Sequence, residues 1–221
     1  GIPRQERDRV GDGEHRLRDP PERIPGVHPR RQEVRPVMGG RSADGGRSTP
    51  VYRGAIFTLY EDEIKLPNGR SVRRSRIEHR PTVGIVPVLG NGDILLIRQH
   101  RHAVGGSLIE IPAGTMDPGD RSPEDCVQRE LAEETGYRAG RLVKLFGGYL
   151  VPGYADEFMH FYAAFDLVEA PLEPDEEEDI EIMTCRLQDA LAMIRDGRIT
   201  DGKTALALLL VADALRREEG R

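Results

Sequence analysis

The chain has no tryptophan and only two cysteines, Cys126 and Cys185, among 221 residues. So few thiols, with no Cys-x-x-Cys spacing, exclude a disulfide-stapled scaffold and a structural zinc site, and fit a reducing, cytoplasmic setting. Long apolar runs are missing too. The longest, residues 205–212, holds eight residues, far short of the roughly 20 that a membrane helix needs. No apolar stretch follows the N terminus, so no signal peptide is expected.

Positive charge is scarce over most of the length. Residues 1–49 carry eleven Arg against four Asp and four Glu, a net +3, whereas the whole chain is −6, which leaves −9 on residues 50–221. An acidic body argues against a nucleic-acid partner, which demands cationic surface to displace counterions. It suits a protein that gathers divalent cations. Residues 1–48 are rich in Arg, Pro and Gly with little apolar periodicity. Such a segment buries too little surface to offset its ordering entropy, so a flexible tail is expected there.

The remaining length fits one good-sized domain. Residues 51–60 and 71–79 read as strands around a Pro67-Asn68-Gly69 turn, giving a small antiparallel unit over residues 49–80. Within 81–221, residues 82–89 and 93–100 read as a hairpin around Gly90-Asn91-Gly92. Further strands are expected at 107–111, 142–149, 158–166 and 180–187, and helices at 187–195 and 204–217. The fold class is α/β, a mixed sheet between helices.

The most informative stretch is Arg129-Glu130-Leu131-Ala132-Glu133-Glu134-Thr135-Gly136-Tyr137. Its three glutamates fall at i, i+3 and i+4, on one helix face, about 5–6 Å apart at Cβ. Three like charges so close repel one another, and the arrangement becomes favourable when a divalent cation sits among them. Oxygen ligands of this kind suit Mg²⁺ or Mn²⁺. Upstream, Ser122 is placed to cap the helix, with Pro123 at its first position and Asp125 three residues after the cap. Gly136 supplies the stop.

These residues resemble the signature of the Nudix hydrolases, G-x5-E-x7-R-E-U-x-E-E-x-G-U, with U a bulky apolar residue. Gly114 and the block from Arg129 to Tyr137 match it. Asp120 stands where the family has Glu, and eight residues rather than seven separate it from Arg129. Other stretches resemble the ADP-ribose pyrophosphatase branch: Gln99-His100-Arg101, Glu110-Ile111-Pro112-Ala113-Gly114, Pro152-Gly153-Tyr154-Ala155-Asp156-Glu157, and the link Gly197 to Thr204.

The resemblance implies a Nudix-type α/β/α sandwich for residues 81–221. It also implies a homodimer built through the 49–80 unit, and Mg²⁺-dependent (or Mn²⁺-dependent) hydrolysis of a nucleoside diphosphate sugar. The expected metal ligands are Glu130, Glu133, Glu134 and the Ala113 carbonyl. A glutamate ahead of the Ile180-Glu181-Ile182 strand is the expected general base; the register selects Glu178, with Glu176 and Glu177 beside it. Arg101 and Arg98 are expected to contact phosphate or ribose, since an Arg fork suits diphosphate geometry. Glu157 is expected to bind substrate or metal. Arg129 is expected to brace the loop, and Glu110 either to ligate the metal or to hold a neighbour. With no Trp, a base would stack on Tyr, Phe or His, with Tyr52, Phe57 and Tyr60 as candidates. ADP-ribose is the first substrate implied and GDP-mannose the second. A metabolite-binding regulator without catalysis, and an RNA-end pyrophosphohydrolase, are the readings from other classes.

Overall fold

The N-terminal sheet is built from β1 (Arg47–Arg53), β2 (Phe57–Lys65) and β3 (Ser71–His79), paired antiparallel in that order. The computed structural model describes residues 46–172 and 179–219; most of the expected tail, residues 1–45, lies outside them. The single strand expected over 51–60 is two strands. The chain turns between them, with the Gly54 amide donating to the Phe57 carbonyl at 2.9 Å. The next turn matches expectation: Gly69, at φ +80°, adopts the left-handed conformation that closes β2 onto β3.

The rest of the chain runs β4 (Thr82–Pro87), β5 (Asp93–Arg101), β6 (Gly106–Glu110), β7 (Ala113–Thr115), α1 (Pro123–Thr135), β8 (Tyr137–Tyr149), β9 (Phe158–Glu169), β10 (Ile180–Arg186), α2 (Leu187–Arg195) and α3 (Gly202–Glu219). A four-stranded sheet has the order β7-β4-β9-β8, and a three-stranded sheet the order β10-β5-β6. Only the β4–β9 pair of the larger sheet is parallel, so that sheet is mixed.

The expected 82–89/93–100 hairpin is corrected by this topology. Its turn is present, with Gly92 N donating to Leu89 O and Leu89 N to Asp93 O, both at 2.8 Å. Yet β4 and β5 enter different sheets and share one isolated bridge, Val88 to Ile94. Every residue of β4 is buried, and both its edges are taken by β7 and β9, so none remains for β5.

Helices cover both faces of the larger sheet. On one face Cys126, Val127 and Leu131 of α1 pack on Val83, Ile85, Tyr162 and Ala164. On the other, Met159, Phe161 and Ala163 meet Leu191 of α2, Leu208 and Val211 of α3, and Ile94 and Leu96 of β5. A fully buried aliphatic side chain of this kind contributes about 1.5–3 kcal/mol. The result is the α/β/α sandwich expected. Among the described residues no helix is long and apolar enough to cross a membrane.

Candidate active site

A cavity of ≈ 600 Å³ opens where β7, the end of β5, the residues before β9 and the start of α3 meet, a volume in the range of small-molecule sites. Its walls include Thr82, Arg101, Ala113, Gly114, Glu157 and Lys203, with His79, Thr115 and Asp201 beside them.

α1 brings the acidic face to this wall. Ser122 caps the helix, its hydroxyl accepting the Asp125 amide at 3.1 Å, and Gly136 at φ +78° ends it. Glu130 and Glu134 are 9% and 5% exposed. Glu134 Oε2 accepts the Ala113 amide at 2.9 Å, which ties the helix to β7. The Glu130 carboxylate lies directly against Gly114: a Cβ there would fall 1.9 Å from Glu130 Oε1 and would push that carboxylate out of its place.

Arg129 braces this region as expected. Its Nη1 lies 2.9 Å from both Glu130 Oε1 and Glu133 Oε2; its Nη2 lies 3.0 Å from Asp120 Oδ2 and 3.7 Å from Asp117 Oδ2. The same Nη2 donates to the Thr115 carbonyl at 3.1 Å. Burial alone would lower the Arg129 pKa, but the Asp120 and Glu130 carboxylates carry it well above the usual range. Burial would raise the Asp120 pKa, and the Arg129 hydrogen bonds hold it below the usual carboxylate range instead. Asp120 also accepts the Asp117 amide at 2.8 Å. The additional residue between Asp120 and Arg129 therefore does not separate them.

The donor set fits a hard divalent cation. One guanidinium serves four carboxylates, and Asp117 also pairs with Arg80 at 2.9 Å. Carboxylates and the Ala113 carbonyl are oxygen donors of the type Mg²⁺ and Mn²⁺ take. Among the described residues no three Asp, Glu, His or Cys side chains converge on one point. Glu130 and Glu133 turn toward Arg129, and Glu134 toward the Ala113 amide.

The opposite wall is a charged ladder. Glu110, 1% exposed, accepts Arg101 Nε at 2.8 Å and Nη2 at 2.7 Å. Lys203 Nζ donates to the same carboxylate and, at 3.0 Å, to Asp201 Oδ2. Asp201 in turn accepts the Thr204 amide at 3.0 Å, and the Thr204 hydroxyl oxygen accepts the Ile111 amide at 2.9 Å. Burial pushes the Glu110 pKa up, and the Arg101 hydrogen bonds with the Lys203 charge outweigh it, so it sits below the ordinary value.

Of the expected residues, the structure brings Ala113, Arg101 and Glu157 to the cavity wall. Arg101 is there as Glu110's bidentate partner. Glu157 accepts the Thr82 hydroxyl at 2.8 Å. Arg98, three residues from Arg101 and so on the other face of β5, instead pairs with Glu181 at 3.3 Å outside the cavity. Glu176, Glu177 and Glu178 lie outside the described residues. Before them, after β9, the Leu172 amide donates to the Ala132 carbonyl of α1 at 3.2 Å. Tyr60 is 4% exposed with Arg76 stacked on its ring, which makes it core rather than a stacking platform. Tyr52 and Phe57 touch each other, centroids 5.8 Å apart, away from the cavity. Sequence reasoning gave no role to Lys203, Asp201, Thr82 or His79. Lys203 and Asp201 sit in the Asp201-Gly202-Lys203-Thr204 link, whose charges were the available signal.

Known proteins are similar to this chain in sequence and fold. The NUDIX domain family model matches residues 78–207. An ADP-ribose pyrophosphatase of Bacillus subtilis (strain 168) is 36% identical over 173 residues, 76% of this chain and 93% of that protein. A GDP-mannose pyrophosphatase of Pectobacterium atrosepticum is 39% identical over 165 residues, 69% of this chain and 84% of that protein. A methanol dehydrogenase activator of Bacillus methanolicus is 32% identical over 176 residues, 78% of this chain and 95% of that protein. A crystal structure of an ADP compounds hydrolase superposes with a TM-score of 0.71 at 27% identity, covering 78% of this chain and 93% of the other. With its signature helix, its sandwich and these matches, the chain belongs to the Nudix hydrolase family.

Proposed function

We propose that this Nudix hydrolase cleaves the pyrophosphate bond of a nucleoside diphosphate sugar, with ADP-ribose giving AMP and ribose 5-phosphate as the expected reaction. The observation that carries the reading is the buried carboxylate face of α1 docked on Ala113 and Gly114 in the cavity wall. The pyrophosphatase names of two relatives support it. GDP-mannose is the alternative substrate.

Nudix hydrolases generally use divalent metals, and here Glu130, Glu133, Glu134 and the Ala113 carbonyl are proposed to hold Mg²⁺, with Mn²⁺ as the substitute. The bound ion would neutralise phosphate oxygens and acidify the attacking water. Glu178 is proposed to take that water's proton as its oxygen bonds to phosphorus and the bridging P–O bond breaks. The alternatives are Glu176 and Glu177 in the same acidic run. Arg101 and Lys203 present cationic donors across the cavity, suited to phosphate or sugar oxygens. Glu157 offers an acceptor for sugar hydroxyls.

The test is AMP and ribose 5-phosphate release from ADP-ribose with Mg²⁺, run beside GDP-mannose. Strong release that EDTA abolishes and added Mg²⁺ restores is expected. Metal-independent release, or none from either substrate, would refute the reading. A homodimer belongs to the same proposal, supported by Val51, Tyr52 and Ile56, each more than half exposed, on and beside the N-terminal sheet. Sedimentation should give twice the 24.7 kDa chain mass, and a monomer at micromolar protein would count against it.

A second reading has one observation in its favour: a relative named as an activator of methanol dehydrogenase. In that reading the chain binds a metabolite and acts on a partner without turnover. A Glu134→Gln variant separates the two.

A further inference from the structure

The N-terminal sheet reaches the cavity at His79, and one acidic residue ties that end of the sheet to the segment before β9. β3 runs beside residues 154–156, with Ile77 N donating to Tyr154 O at 2.8 Å and Asp156 N to Ile77 O at 3.1 Å. The Asp156 side chain closes the joint. Its Oδ1 accepts the His79 amide at 2.8 Å, and its Oδ2 lies 3.4 Å from Arg76 Nη1. Arg76 is fixed in turn: Nε sits 2.9 Å from the Asp62 carboxylate, and the guanidinium lies 4.6 Å from the Tyr60 ring centroid. Asp62 is only 5% exposed. The two residues at the ends of this joint, His79 and Glu157, both line the cavity.

We propose that Asp156, clasped by Arg76 and the His79 amide, is a positioning residue that fixes Glu157 in the wall of the substrate cavity. The N-terminal sheet then sets how the cavity holds substrate. The proposal rests on the cavity being the substrate site. Glu157 directly follows Asp156, and its own carboxylate accepts the Thr82 hydroxyl. A side chain on a connecting segment is only as well placed as the backbone that carries it. Removing the Asp156 carboxylate leaves that backbone held to β3 by the two Ile77 hydrogen bonds alone.

Two readouts test this. The first needs no turnover: amide hydrogen exchange over residues 154–158. Asp156→Ala should accelerate exchange there about tenfold or more, with α3 unchanged; unaltered protection overturns the clasp. The second is a double-mutant cycle on ADP-ribose hydrolysis with Asp156→Ala, Glu157→Gln and both. Asp156→Ala alone should lower kcat/KM about tenfold, mainly through KM, and less than about twofold once Glu157 is already Gln. Equal penalties in both backgrounds overturn the positioning role. Asp156→Asn keeps an acceptor for His79 N and drops the charge facing Arg76. It should recover part of the loss, and it replaces Asp156→Ala in the cycle if the alanine variant is unstable. An inert wild type would sink the function reading, while the exchange experiment would still decide whether the clasp exists.

Discussion

Glu134→Gln is expected to abolish turnover while leaving the fold in place. Glutamine is nearly isosteric, and its side-chain oxygen can still accept the Ala113 amide that Glu134 accepts at 2.9 Å. What disappears is one negative charge from a face where one guanidinium already serves four carboxylates. Losing that charge relieves repulsion in the resting protein and weakens the proposed hold on the cation. A drop in kcat of about 10²–10³-fold is expected, the scale of removing one preorganised electrostatic contact to a transition state. The melting temperature should stay within about 3 °C, since surrounding hydrogen bonds survive. Steady-state kinetics across a Mg²⁺ titration, beside thermal denaturation, reads both. Wild-type turnover in the variant would remove Glu134 from the machinery.

The second large effect is on stability. Glu110 is 1% exposed and joins Arg101 to Lys203. Breaking a fully buried ion pair by removing one partner costs roughly 3–5 kcal/mol; Arg101 keeps some access to water, so about 2–3 kcal/mol is expected for Glu110→Gln. For a chain of this size that lowers the melting temperature by about 5–10 °C. The pH dependence has a definite sign. The Glu110 pKa is lowered from its ordinary 4.5 in the folded protein, so the folded state prefers the charged form. Its stabilisation is present above the unfolded value and is lost as pH falls below 4.5 through the folded value. Wild type and variant should therefore differ most near neutrality and converge in acid. Parallel melting curves would refute the assignment by staying equally far apart from pH 7 down to pH 3, both chosen as about the limits of the window.

Much of this was legible in the residues. The capped helix from Ser122 to Gly136 was, because Ser, Pro and Gly each do something local that no distant contact overrides. The bracing role of Arg129 followed from its place among the carboxylates. The turn at residues 90–92 was also legible, but the partner of β4 was not. Turn chemistry fixes the reversal of the chain, whereas strand pairing depends on which edges remain open, and β9 lies over 70 residues downstream. The break at Gly54 was missed because residues 51–60 carry strand-forming side chains on both sides of it. Arg98 and Arg101 looked alike in sequence, and only their opposite faces on β5 told them apart. Lys203 was passed over because its partner, Glu110, is 93 positions away.

Several of the polar ties around the cavity share one property: they join residues 75 to 93 positions apart. Thr82 reaches Glu157 across 75 positions, Arg76 reaches Asp156 across 80, and both Ile111–Thr204 and Glu110–Lys203 cross 93. Closing loops of that length costs entropy before any contact repays it, which slows folding and places such contacts late. The cavity therefore has no local precursor. A chain emerging from the ribosome holds the whole signature helix well before it holds Lys203, and until α3 joins, it is a strand-and-helix assembly with its acidic face and an opposite wall that lacks Asp201 and Lys203. Activity in this protein is a report on completed folding.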